Sequence, residues 1–141
     1  TGDIQLTMAQ KLPISGAVVV TTPQDLSLLD ARRAIGMFRK VEIPVLGVLE
    51  NMAYFECQNC HHQTSLFGHG GGERIAREFG VPLLGQIPLD ASICSDTEQG
   101  LPTVMAHPQG VIAQSFMKSA LALAAQLSVR PLDYQLATQS V

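Results

Sequence analysis

The chain reads as an α/β protein built on a parallel sheet, and three observations lead there. Short, β-branched apolar runs recur at residues 16–22 (GAVVVTT), 45–49 (VLGVL) and, more weakly, 83–87 (LLGQI). Their apolar residues follow one another directly instead of alternating, as in strands covered on both faces. Segments of helical periodicity separate them, and the order β-α-β-loop-α-β-α calls for parallel strands joined by right-handed crossovers.

The elements follow in order. Residues 25–41 read as a helix in which Leu28, Ala31, Ile35 and Phe38 fall on one stripe, while Arg32, Arg33 and Lys40 face water. Pro23 and Asp25 stand where its N-terminus belongs, and Pro44 closes the connection to the next strand. A second helix covers residues 72–79, with Ile75, Ala76 and Phe79 inward and Gly80 placed to end it. Residues 90–99 suit a short helix before Pro102. Residues 109–127 suit a long one, striped by Ile112, Phe116, Ala120, Leu123 and Leu127. Residues 129–141 read as a loosely attached tail.

Ligands of parallel α/β sheets bind outside the carboxyl ends of the strands. Here those ends are Thr21-Thr22-Pro23, Glu50-Asn51-Met52 and Ile87-Pro88-Leu89-Asp90, all on one edge. A three-stranded parallel sheet leaves edges open. The expectation is that more sheet precedes Thr1 in the natural protein.

Composition narrows the function classes. The 141 residues are 46% hydrophobic and 15% charged, enough for one domain with a core. Net charge is −3 and the basic residues are scattered, with Arg32, Arg33, Arg39 and Lys40 the nearest thing to a cluster, so no nucleic-acid partner is expected. No apolar run is long enough to span a bilayer and no signal peptide is visible, so no membrane partner is expected either. Three cysteines are too few for a secreted disulfide scaffold, and a reducing cytoplasm fits better.

Cys57 and Cys60 form a C-x2-C pair in the long connection between the second strand and the next helix, which also carries His61, His62 and His69. Two thiolates at that spacing converge on one metal centre but cannot complete a tetrahedral site. Three arrangements are chemically sensible. Two chains each supply the pair to one [4Fe–4S] cluster on a two-fold axis. Alternatively, the pair and two of the three histidines bind zinc within one chain, or the pair is a redox disulfide. The loop is expected to lack order without metal. Cys94 has apolar and small neighbours and reads as a buried small hydrophobe, and His107 as a surface residue. Residues 68–72 (GHGGG) read as a hinge ending the loop, or as a phosphate cradle at the following helix N-terminus.

The motifs together resemble those of the Mrp/ApbC family of iron–sulfur cluster carriers. TGDIQLT at residues 1–7, GAVVVTTPQD at 16–25, VLGVLENM at 45–52, the Cys57–Cys60 pair, Phe67-Gly68 and LGQIPL at 84–89 follow in the family's order and spacing, over residues 1–128. The resemblance implies the C-terminal portion of a doubly wound, mostly parallel P-loop NTPase fold, of the MinD and nitrogenase iron-protein class. It implies a homodimer that holds a labile [4Fe–4S] cluster between subunits through Cys57 and Cys60 and passes it to apo iron–sulfur proteins. ATP and Mg²⁺ belong to the full-length protein. By resemblance Asn51 hydrogen-bonds the adenine, Pro88 and Asp90 line base and ribose, and Asp3 belongs to the γ-phosphate switch. No G-x-x-x-x-G-K-[ST] occurs in the chain, so these residues alone are expected to be inactive as an ATPase.

Overall fold

A computed structural model describes residues 3–130. Its elements are α1 (Asp3–Lys11), β1 (Ala17–Thr21), α2 (Asp25–Lys40), β2 (Val45–Glu50), β3 (Phe55–Glu56), β4 (Gln63–Thr64), α3 (Gly71–Phe79), β5 (Leu83–Gln86), α4 (Ala91–Glu98), α5 (Thr103–Ala106) and α6 (Val111–Ser128). The three apolar runs are the strands of one parallel sheet in the order β1-β2-β5, each within one residue of its expected bounds. The expected tail lies outside the described residues except for Val129 and Arg130.

Helices cover both faces. Leu28, Ala31 and Ile35 of α2 and Ile75 and Ala76 of α3 close a core over Val19 and Val48, as their periodicity predicts. Ile35 and Ile75 are fully buried, each contributing about 1.5–3 kcal/mol. Gly80 ends α3 in the left-handed conformation, at φ 64°. On the other face α6 packs against β5 and β2. Consecutive residues of β2 face opposite sides of the pleated sheet: Val48 lies in the core under α2 and α3, and Leu49, paired with Gly85, lies on the α6 side.

The expected stripe of α6 needs correction. Its buried residues are Ala113 and Ser119, while Ala120 and Leu127 are exposed. The cause is a close approach: a Cβ on Gly85 would stand 2.0 Å from Ser119 Oγ. Small residues occupy the contact where the sequence pattern favours large ones. α1 is a further element the pattern does not predict. None of its residues is buried, and Ile4, Met8 and Leu12 are exposed. Among the described residues no strand pairs with the outer edge of β1, where Val20 is exposed. No described helix is long and apolar enough to cross a membrane.

The ends of the long loop are joined by one buried side chain. Glu50, the last residue of β2, is 1% exposed. Its Oε1 accepts from the Gly72 N–H at 2.8 Å and its Oε2 from Gln86 Nε2 at 2.6 Å. The carboxylate thus caps the N-terminus of α3, where the helix dipole favours it, and ties it to β5. A Cβ on Gly72 would lie 2.8 Å from Glu50 Cβ, and one on Gly71 3.0 Å from Leu28 and Pro23. The glycines at 71 and 72 are therefore requirements of packing. Neither the hinge nor the phosphate cradle describes them, since Glu50 already takes the Gly72 donor.

Replacing Glu50 with Ala should lower stability in urea by about 2–4 kcal/mol, since two hydrogen bonds to a carboxylate and its buried volume are lost together. Gly72→Ala should cost about 1–3 kcal/mol through overpacking. Urea midpoints within experimental error of the parent for both would rule out this junction as a main support.

Candidate functional site

The C-x2-C pair sits at the tip of a small hairpin. β3 and β4 pair antiparallel, Phe55 with Thr64 and Glu56 with Gln63. The turn is closed by the Cys57 N–H donating to His62 O at 3.0 Å and the His61 N–H to Cys57 O at 2.8 Å. His61 takes a positive φ of 57° to turn the chain, a conformation in which histidine is over-represented among non-glycine residues. Glu56 braces the stem, with Oε1 3.1 Å from His61 Nδ1 and Oε2 accepting from Gln63 Nε2 at 3.0 Å. These two contacts hold the Glu56 carboxyl below its usual range, the Gln63 hydrogen bond first. The loop thus runs as a short hairpin. Two-residue strands show no periodicity to predict it from.

Both thiols are free, Cys57 half-buried and Cys60 exposed. The Cys57 thiol is drawn below its ordinary value, chiefly by the backbone N–H of Cys60, then by that of Asn59 and by the Cys60 side chain. A thiolate is the form that ligates metal. Among the described residues no three His, Cys, Asp or Glu side chains are gathered to hold a metal ion, and His61 is turned to Glu56. Cys94 is corrected: it is exposed on α4, its Sγ 3.7 Å from Glu98 Oε1. Its helix packs only lightly, with no buried residue, so small neighbours in sequence do not amount to a core.

The strand ends form the second part of the site. Asn51, Pro88 and Asp90 line one cleft of about 340 Å³ at the carboxyl edge of β2 and β5, together with Met52, Leu89 and four residues of α4, Cys94 among them. Asn51 is held by its N–H to Thr21 O at 2.7 Å, and its Oδ1 accepts from the Met52 N–H. Asp90 caps α4, Oδ1 accepting from Ser92 N at 2.8 Å and Ser92 Oγ at 2.7 Å. Pro88 is buried. Asp3 is not brought to them: it opens α1 and lines neither this cleft nor the two others described below and at the β1 edge. The β1-edge cleft, about 430 Å³, runs from Val19 to Asn51 along α2.

The two parts are hydrogen-bonded to each other. After β2 the chain runs beside the end of β5, the Ala53 N–H donating to Ile87 O at 3.0 Å and the Leu89 N–H to Tyr54 O at 2.8 Å. Phe55 and Leu89 form a parallel bridge. The stem of the cysteine hairpin is thus laid against the segment that carries Pro88 and Asp90. The sequence signalled the cysteines and the strand ends but not this ladder, which rests on main-chain groups.

The family described as ParA, NUBPL iron-transfer P-loop NTPase, matches residues 1–124. The chain is 54% identical over 121 residues to a protein of Pseudomonas fragi named iron-sulfur cluster carrier protein, covering 86% of this chain and 42% of the relative. Among solved structures it is similar to a nucleotide-binding protein of Archaeoglobus fulgidus in complex with ADP, at 40% identity and TM-score 0.62, covering 70% of this chain and 41% of that one. It is also similar to the cell division ATPase MinD of Pyrococcus furiosus, at 25% identity and TM-score 0.61, covering 79% and 43%. The chain spans about two-fifths of the length of each of these proteins.

The lowered thiol of Cys57 has a direct readout. Because its folded value lies below the ordinary one, its thiolate persists to lower pH. Its alkylation by iodoacetamide, followed by peptide mass, should reach half its plateau at a lower pH than that of N-acetylcysteine. A half-point equal to or above that of the small thiol would contradict the turn geometry.

Proposed function

The chain belongs to the NUBPL iron-transfer P-loop NTPase family, and from that membership and the hairpin we propose that it is the cluster-holding part of an iron–sulfur cluster carrier. The observation that carries the reading is the pair of thiols at the hairpin tip, Cys57 half-buried and Cys60 exposed, with no third ligand gathered beside them among the described residues. Two ligands are too few for one centre, so a second copy of the chain brings the other pair, and a [4Fe–4S] cluster is the cargo that four thiolates hold between two subunits. Because the tip is exposed, the cluster stays within reach of the thiolates of an apo-protein, to which it passes by ligand exchange.

ATP control belongs to the whole protein. The adenine sits in the cleft of Asn51, Pro88 and Asp90, with Asn51 at the base and Asp90 using the oxygen not spent on its helix cap for the ribose. The ladder from Ile87 and Leu89 to Ala53 and Tyr54 carries nucleotide state to the hairpin. Asp3 belongs to the switch that senses the γ-phosphate, and Mg²⁺ is held with the phosphates by residues outside this chain. A reducing cytoplasm keeps both thiols free to bind. The zinc arrangement gains no support from the donors: His61 is engaged by Glu56, and His62 and His69 are not gathered with the cysteines.

Anaerobic reconstitution with iron and sulfide should give about four irons and four sulfides per two chains, with a dimer on gel filtration. Cys57→Ser and Cys60→Ser should each abolish the cluster, while His69→Ala leaves it unchanged. Metal retained by a monomer, or lost in the His69 variant, would overturn the reading. The chain by itself should show no Mg²⁺-dependent ATP hydrolysis above a buffer control, and a measurable rate would show that the missing phosphate loop is not needed.

A further inference from the structure

A third cleft, of about 270 Å³, opens directly behind the cysteine turn. One wall is the hairpin, with Tyr54, Glu56, Gln58 and His61. The other is built by Thr103 of α5, His107 and the start of α6 from Gly110 to Ala113, and Leu89 and Asp90 lie between. This space shares its Pro88–Asp90 edge with the strand-end cleft, and the carrier reading uses only that edge of it. It is smaller than most small-molecule sites, which run to several hundred Å³, and it suits one long side chain.

Its chemistry has a sign. Two carboxylates, Glu56 and Asp90, line it, and no Lys or Arg does. Glu56 is hydrogen-bonded by His61 and Gln63 and Asp90 by Ser92, and among the described residues no Lys or Arg pairs with either carboxylate. Thr103 is 5% exposed and its Oγ1 has no hydrogen-bond partner among the described residues, so a polar group reaching it would satisfy it. Beside the polar Gln58, His61, Ser92 and His107, the wall has an apolar and aromatic part in Tyr54, Pro88, Leu89, Val111, Ile112 and Ala113. An aliphatic stem that ends in a planar cation matches all of these features, because guanidinium stacks on aromatic rings, pairs with carboxylates and is weakly hydrated.

We propose that this cleft receives an arginine side chain of the apo-protein that takes the cluster, anchoring the recipient beside Cys57 and Cys60. The inference rests on the carrier reading for the identity of the partner, but the cleft's preference for arginine is testable without any cluster. Nα-acetyl-arginine amide titrated into the ¹⁵N-labelled chain should shift the amides of Tyr54, Glu56, Gln58, Thr103 and residues 110–113 in a saturable way. The neutral isostere Nα-acetyl-citrulline amide should bind about tenfold more weakly, the difference between charge-assisted and neutral pairing. Glu56→Gln should reduce the arginine probe's affinity several-fold. Val111→Lys, at the exposed mouth of the cleft, should abolish its binding by supplying a cation from within, and its spectrum shows whether the fold persists. Equal binding of the two probes, shifts elsewhere on the surface, or no saturable shift would overturn the proposal. So would the same shifts arising from chain concentration alone, which would make a second copy the occupant. A chain that binds the arginine probe but holds no cluster would fail the carrier reading and leave the cleft standing. The reverse result would fail only this inference.

Discussion

The Glu50 carboxylate is the joint on which both halves of the site depend. It sits at the carboxyl end of the central strand and holds the first turn of α3 on one oxygen and β5 on the other. Between Glu50 and Gly71 runs the whole segment that carries the cysteines. Closing a flexible loop of about 20 residues costs several kcal/mol of chain entropy, growing only slowly with length. A buried hydrogen bond across its ends, packed so tightly that Gly72 admits no Cβ, offsets that cost where it arises. The loop between is then free to serve chemistry instead of holding the domain together.

A buried carboxylate is ordinarily a liability. Here its two partners and the dipole of α3 supply what water would have supplied, and the position is defined from three directions at once. Strand, helix and neighbouring strand therefore move as one body, and Asn51, the next residue, inherits a fixed place. On the proposed function the strand-end cleft would need such a fixed wall, because a binding pocket loses discrimination when its walls drift by an ångström.

The parts of this fold that were legible in the sequence are those set by the hydrophobic period. The strand around Val48 and the stripe of Leu28, Ala31 and Ile35 announce themselves because large apolar residues fill both sides of one contact. α6 misleads for the opposite reason. Where Gly85 lets Ser119 come within van der Waals reach, burial falls on small and even polar residues, and the larger ones at Met117 and Leu121 are left exposed. Cys94 misleads similarly, since composition of the neighbourhood in sequence says little about a helix that buries nothing. In the site, residue types could be read and their relation could not. Cys57 and Cys60 are a visible pair and Asn51, Pro88 and Asp90 stand at visible strand ends. What joins them, the bonds of Ala53 to Ile87 and Leu89 to Tyr54, uses peptide groups common to every sequence.

That ladder also decides what kind of coupling this protein supports. A hairpin hung on a flexible linker would report nothing about a nucleotide held nearby. Here the stem is joined to the segment after β5 by the Ala53–Ile87 and Leu89–Tyr54 hydrogen bonds and the Phe55–Leu89 bridge, so a shift of residues 87–90 would have to break or carry those two hydrogen bonds, each worth about 0.5–1.5 kcal/mol. Carrying them is cheaper, and on the proposed function this is how a bound nucleotide would be felt at the hairpin, where Cys60 is exposed. Structural metal sites bury their ligands and close the coordination sphere. An incomplete pair with Cys60 exposed, hydrogen-bonded through its stem to a second cleft, fits the proposed function, in which the cargo leaves.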